Sequence, residues 1–353
     1  MLRPFLSRVA AQWGSVIRRQ ASPGQSTGLG RALRAWQPSR PVLGASLLGA
    51  AASQGAARPS ALAAQLSSMA GAGPSALDQV TFKEMGLLSW LIVDLAINWG
   101  GWAVSAVLKT DKFYDMLGTG SFLTLSLGSM AAAKVRHARK YVVSAMVAVW
   151  ALRLGGFLVA RVWKVGHDSR FDEAKHQPLK FWVFWTMQAA WVFVTLSPLL
   201  LLNTASAGGP ARIVWSDGVG IALFAAGLLI EAIADGQKFA FKMDPANKGR
   251  FIDSGLWTYS RFPNYFGEMT LWWGVFITCT SGLSGAQFAT VASPLFVMTL
   301  LLFVSGIPLQ EEQAKRRWGA TPEYQAYRER TNLLLPLPKW LLPWGGSCCR
   351  KSQ

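Results

Sequence analysis

The chain has 353 residues, of which 51% are hydrophobic and only 15% charged, with 17 tryptophans and a formal net charge of +17. That composition excludes an ordinary soluble globule, and with no soluble basic domain in view it gives no support to nucleic acid as the partner of the positive charge. The three cysteines, Cys279, Cys348 and Cys349, form neither a disulfide framework nor a metal-ligand spacing, so no metal site is expected.

Residues 1–77 contain arginine, serine, alanine and glycine but no acid. Within the first twenty, Leu2, Phe5, Val9, Trp13 and Val16 fall roughly on one helical face, opposite Arg8, Arg18 and Arg19. An Arg-rich, Ser-rich, acid-poor amphipathic start describes an organelle transit peptide. The destination is a mitochondrion or a plastid, with the amphipathic start leaning mitochondrial; a disordered tail without an address is the other reading.

From Met85 the composition changes to long apolar segments. Residues 85–108, 141–163, 181–202 and 217–239 are each long enough to span about 30 Å of hydrocarbon. Residues 117–133 stand at the short limit, their glycines and serines suited to close helix packing. Residues 266–280 and 288–307 supply two more, separated by a small-residue turn. The expectation is an all-α, polytopic integral-membrane bundle of six or seven transmembrane helices. It divides into a targeting or disordered segment over 1–77, a membrane domain over 82–339 and a tail over 340–353. The loops 164–180 and 238–262 and the C-terminal segment share one side and are basic, as the positive-inside rule asks. The turn Lys134–Lys140 is as basic yet falls opposite, so either 117–133 does not cross or the rule fails here.

Chemistry concentrates toward the C-terminus. Glu231 and Asp235 are four apart on one helical face, with Lys238 three further on. Two readings compete: a carboxylate pair neutralised by Arg153 or Arg161 to lock helices, or Asp235 and Lys238 lining a cofactor mouth with the lysine reaching a phosphate. Lys248, Arg250 and Arg261 follow in the next loop, which suits either a phosphorylated ligand or anionic lipid. The stretch Ser260-Arg261-Phe262-Pro263-Asn264-Tyr265 then puts polar groups at the mouth of an apolar helix that begins after Glu268, where such groups are costly unless paired or functional. No glycine-rich fingerprint follows a strand, so a Rossmann site is excluded and any nicotinamide site must be built between helices.

The run Arg261-Phe262-Pro263-Asn264-Tyr265-Phe266-Gly267-Glu268 resembles the R-H-P-N-Y-x-G-E signature of the membrane reductase family that contains DUF1295 proteins, the steroid 5α-reductase C-terminal domain and sterol reductases. Phe262 departs from it, standing where the pattern has His. Glu231 to Lys242 resembles the family's E-x-x-A-D-x-Q-K-x-x-F-K. Trp318-Gly319, Tyr324, Tyr327 and Pro336 occupy the places of its closing segment, and Arg161, Asp168, Arg170 and Asp172 those of an upstream motif that a local charge network explains equally well. The resemblance implies a nicotinamide cofactor held by the C-terminal helices, with Asp235, Lys238, Arg261, Asn264, Tyr265 and Glu268 as cofactor-binding positions. Reduction of a lipid C=C bond also needs a proton donor, for which Tyr259, Tyr265 and Tyr327 are candidates. The implied activity is NADPH-dependent reduction of a sterol, enone or other isoprenoid-like lipid. S-adenosylmethionine-dependent methyl transfer and a non-catalytic lipid-binding scaffold are the alternatives. The expected partners are the bilayer and a lipid substrate, and the sequence leaves the oligomeric state open.

Overall fold

The computed structural model of the chain describes residues 86–165, 171–205, 209–210 and 212–341, with side chains for all of these except 161–165 and 340. The expectations placed on residues 1–77, on the side chain of Arg161, on Asp168 and Arg170 and on most of the C-terminal tail lie outside the described residues. Nine α-helices are found among those residues: α1 Leu87–Leu108, α2 Tyr114–Ala131, α3 Ala138–Val165, α4 Pro178–Thr204, α5 Trp215–Met243, α6 Pro263–Thr280, α7 Ala292–Thr299, α8 Ile307–Trp318 and α9 Pro322–Arg330. No strand occurs among the described residues, so the expected all-α class is what the chain adopts. Proline stands in the first turn of α4, α6, α8 and α9, where its missing N–H costs nothing and its fixed φ starts the helix.

Among the described residues five segments are long and apolar enough to cross a membrane: Leu87–Leu108, Ala138–Ala160, Pro178–Thr204, Trp215–Met243 and Gly285–Trp318. The helices α2 and α6, at 18 residues each, fall short of the usual length; α6 has no exposed residue, while α2 keeps an outer face with Met116 and Leu127. The doubtful segment, α2, does run the height of the bundle. At one end the Tyr114 hydroxyl donates to the Phe184 carbonyl at 3.1 Å, and at the other Asn203 Nδ2 donates to Ser129 Oγ at 2.9 Å. From Phe184 to Asn203 α4 rises about 28 Å at 1.5 Å per residue, close to the hydrocarbon thickness.

The closest contact in the bundle is between α5 and α6. A Cβ added to Gly227 would lie 2.5 Å from the Gly267 carbonyl oxygen, and one on Gly267 would lie 2.6 Å from that of Gly227. Gly274 repeats the relation, its added Cβ meeting the Gly220 carbonyl at 2.6 Å. Two glycines seven residues apart on each antiparallel helix thus remove the side chains that would hold the backbones apart, as membrane helix contacts favour. Beside this seam sits an aromatic core. The rings of Trp150 and Trp272 pack edge to face at 4.8 Å, and Phe122 lies 4.9 Å from Trp150.

The basic turn before α3 has a structural explanation. Arg139 and Lys140 are each only 1% exposed. Arg139 grips Asp217 at the start of α5 with two 2.9 Å bonds and also donates to the carbonyls of Pro210 and Arg212. Lys140 donates to the carbonyls of Asn203 and Ala205 at 3.1 and 3.0 Å. Ser281, just past α6, donates to Asp217 at 2.7 Å. These two cations are therefore internal fasteners, leaving Lys134 and Arg136 as the exposed charges of that turn.

Replacing Gly227 or Gly267 with alanine is expected to cost about 1–3 kcal/mol through overpacking at a backbone contact. Gly236→Ala, on the same α5 but with nothing within 4 Å of its added Cβ, should be neutral or stabilising. Thermal unfolding of the three variants in one detergent checks the contrast.

Candidate functional site

The C-terminal half of α5 carries the polar face read from the sequence. Arg153 of α3 meets both of its carboxylates: Nη1 lies 2.7 Å from Glu231 Oε1 and Nη2 2.6 Å from Asp235 Oδ2. Asn264 at the start of α6 donates from Nδ2 to Asp235 Oδ1 at 3.2 Å. One guanidinium thus ties α3, α5 and α6 together in the apolar interior, where an unpaired charge is strongly unfavourable. Gly267 belongs to the same arrangement, because an added Cβ there would lie 2.7 Å from the Glu231 amide nitrogen. The partly buried Glu268 follows it in sequence.

One turn beyond the clamp the helix emerges and Lys238 lines a cleft. Its walls are the end of α5, the loop 244–262, and α8 with α9. Five cations face it, Lys238, Lys242, Arg250, Arg261 and Arg317, against one carboxylate, Glu311. The remainder is largely aromatic. Lys238 Nζ sits 4.7 Å from the ring centroid of Trp257, a cation–π distance. Phe251 packs against Tyr324 at 5.1 Å and Trp318 at 5.9 Å.

The loop is held by its own polar groups. Gly255 has φ +64°, and the Leu256 amide next to it donates to Gln237 Oε1 of α5 at 3.0 Å. Trp257 Nε1 donates to the Ala234 carbonyl at 3.1 Å, and the Tyr327 hydroxyl to the Trp257 carbonyl at 2.8 Å. Asn332 and Tyr259 to Arg261 exchange backbone bonds of 2.9 and 3.1 Å in a short parallel bridge, and Trp318 Nε1 donates to the Gly249 carbonyl at 2.6 Å. The C-terminal segment is thereby fixed as a wall of the cleft.

The residues expected from the sequence divide between these two places. Asp235 and Asn264 join the clamp, while Lys238, Arg261 and Tyr327 line the cleft. Arg261 Nη1 lies 2.7 Å from Glu311 Oε1, and Glu311 Oε2 is 3.2 Å from Arg328. Arg261 Nε and Asn264 Oδ1 are buried without a hydrogen-bond partner among the described residues. Phe262, in the place of the family's histidine, is 5% exposed and stacks on Tyr265 with centroids 5.6 Å apart and planes 5° off parallel. Tyr259 is 43% exposed and outside the cleft lining. Glu311 and Arg317 were not singled out in the sequence. Arg317 stands directly before the matched Trp318-Gly319, whereas nothing in the spacing connects Glu311 to Arg261. Upstream, Asp172 pairs with Lys175 at 3.1 Å, a local contact away from the cleft.

Burial raises the Tyr327 phenol well above its ordinary range. It also raises that of Tyr324, with the Glu311 charge adding to the shift. Both hydroxyls are held neutral, and that of Tyr327 is engaged with the Trp257 carbonyl.

Residues 101–331, well over half of the chain and including the clamp and the whole cleft lining, match the family model described as "Protein of unknown function (DUF1295)". The chain belongs to the DUF1295 family. Comparison with curated proteins and with solved structures returns no match. In this DUF1295 protein the matched region begins inside α1 and ends at the bridge that closes the cleft.

Removing the guanidinium with Arg153→Met should destabilise the folded bundle by about 3–5 kcal/mol, because two carboxylates lose their counter-ion. Arg153→Lys should recover only part, since an ammonium cannot fork between them; denaturation in detergent measures both. For Tyr327 the folded pKa is raised, so its contribution is fully present below about pH 10, the unfolded value, and is lost as pH rises through the folded value. Tyr327→Phe should cost about 1 kcal/mol at neutral pH and flatten the alkaline limb of stability against pH.

Proposed function

We propose that this protein is an integral-membrane, NADPH-dependent reductase acting on a C=C bond of a sterol, enone or other isoprenoid-like lipid. The observation that carries the reading is the cleft: five cations against one carboxylate, set on an aromatic surface at the end of an apolar bundle. Phosphates are bound by clustered lysine and arginine, and flat rings by aromatic faces. The residues present fit a phosphorylated dinucleotide. Lys238 and Lys242 would hold phosphate, Phe251 and Trp318 would offer ring faces, and the buried Arg261 Nε and Asn264 Oδ1 would supply a donor and an acceptor.

When bound, such a cofactor supplies a hydride. The protein's share is to orient the two partners, exclude water and deliver a proton to the neighbouring carbon. Asp235, Asn264 and Glu268 at the mouth of α6 would orient the reacting end. Tyr265, adjacent to Asn264 and fixed by its stack on Phe262, is the phenol nearest the signature residues and would hold the proton. Tyr259 and Tyr327 are the further candidates. Methyl transfer is less compatible with the same cleft, because S-adenosylmethionine carries a sulfonium cation and no phosphate, and an excess of cations repels it. The N-terminal reading would place the enzyme in an organelle membrane, mitochondrial in preference to plastid.

Titration of the full chain in detergent with NADPH, NADH and S-adenosylmethionine, followed by calorimetry, tests the reading. Saturable NADPH binding is expected, weakened about tenfold by Lys238→Ala, which corresponds to 1.4 kcal/mol for one charge-assisted contact. Binding of S-adenosylmethionine alone would transfer the assignment to methyl transfer. No binding of any of the three by folded protein would leave a non-catalytic lipid-binding role.

A further inference from the structure

The charges around the cleft differ in how they are used. Arg261 and Arg328 share Glu311, Arg330 pairs with Asp253 at 3.0 Å and Arg316 with Glu312 at 3.0 Å. Arg250 and Arg317 both line the cleft, and neither has an ion pair or side-chain hydrogen bond among the described residues. They come from opposite walls, the loop after α5 and the end of α8. The 2.6 Å bond from Trp318 Nε1 to the Gly249 carbonyl joins those walls at the residue next to each arginine. Both arginines are exposed, so they form the rim, while Lys238 over the buried Trp257 forms the inner end. Between them lies the face made by Phe251, Trp318 and Tyr324.

Two unpaired guanidiniums held at one aromatic rim suit a doubly charged phosphate, since each presents a planar fork of donors. A dinucleotide carries its pyrophosphate between its two nucleosides, and a further phosphate only on one ribose, beside the adenine. With Lys238 at the inner end on the pyrophosphate, the rim pair falls where that extra group would be, next to a surface on which adenine can stack. We propose that Arg250 and Arg317 form a phosphate-discriminating subsite that makes the protein prefer a dinucleotide phosphorylated on the adenosine ribose over its unphosphorylated counterpart. This inference rests on the cofactor reading above, but it concerns the ratio of two affinities and so fails separately. A phosphate from an anionic lipid headgroup shares the same chemistry, and the ligands chosen below tell the two sources apart.

The experiment is a set of calorimetric titrations of the full chain in neutral detergent at fixed ionic strength. The ligands are NADPH, NADH, adenosine 2′,5′-bisphosphate and phosphatidylglycerol in mixed micelles. The variants are wild type, Arg250→Gln/Arg317→Gln, and Arg316→Gln/Arg328→Gln as a charge-matched control, each checked for folding by circular dichroism. The expected result has three parts. Wild type prefers NADPH to NADH by about tenfold or more, the scale of one charge-assisted contact. The ratio falls to near one in the Arg250/Arg317 double variant and is kept in the control. Adenosine 2′,5′-bisphosphate competes with NADPH on wild type but not on the double variant.

A preference that persists in the double variant would overturn the assignment. So would equal affinities in wild type, or a rim response to phosphatidylglycerol alone. Failure of both dinucleotides to bind the folded wild type would defeat the cofactor reading itself and this inference with it.

Discussion

The backbone contact between α5 and α6 is the constraint on which the rest depends. Two glycines on each helix let the antiparallel chains approach until carbonyls meet α-carbons. That separation sets what can stand beside the seam. Glu231 and Asp235 on α5, and Asn264 and Glu268 on α6, are brought to one level because Gly227 and Gly267 place them there. Arg153 then closes the group from α3 with contacts of 2.7 and 2.6 Å. Had α5 and α6 been spaced by ordinary side chains, Asn264 of α6 could not have reached Asp235 while Arg153 held it from α3. The glycine of the family signature is thus explained by packing, and the polar residues around it by the geometry that packing creates.

Charge is handled differently at the two ends of the bundle. At one end Arg139 and Lys140 are buried and their donors are consumed by Asp217 and by carbonyls of the neighbouring turns. They bind the α2–α3, α4–α5 and α6–α7 connections together and present almost nothing to solvent. At the other end the cations surround an open cleft, and Arg250 and Arg317 have no ion pair or side-chain hydrogen bond among the described residues. A count of basic residues treats these ends alike, which is why the turn before α3 conflicts with the positive-inside rule when read from sequence alone. Buried cations that serve as fasteners drop out of that count, which leaves Lys134 and Arg136 as the turn's exposed charge.

Much of the fold was legible in the sequence. Long apolar runs gave the helices to within a few residues, since apolar length is a strong signal in a chain with few charges. The 18-residue α2 was the exception. Its serines and its contacts with Gln188 and Asn203 give it a polar packed face, so its low hydropathy reflects polar bonds to neighbours, as in Gln188 Nε2 donating to the Tyr114 carbonyl at 3.1 Å. At the site, the four-residue spacing of Glu231 and Asp235 announced a shared face, and Arg153 was one of two arginines named as their counter-ion. The counter-ion reading of Glu231 and Asp235 is the one the structure shows, and the spacing could not say that Lys238, one turn on, would leave the clamp to line the cleft. Glu311 was invisible because its meaning depends on Arg261, fifty residues earlier, and only the folding back of α8 brings them together.

That folding back has a bearing on how the protein is made. The inner end of the cleft belongs to α5 and the loop after it, but the outer wall is α8 and α9, sewn on by the bridge of Asn332 to the Tyr259–Arg261 backbone. Synthesis runs from the N-terminus, so the bundle can enter the bilayer and close its α5–α6 seam while this wall is still on the ribosome. The cleft does not exist until α8 and α9 emerge and dock. Maturation of the cleft is accordingly a step separate from membrane insertion, and a chain cut short before α8 would be an inserted protein with no cleft.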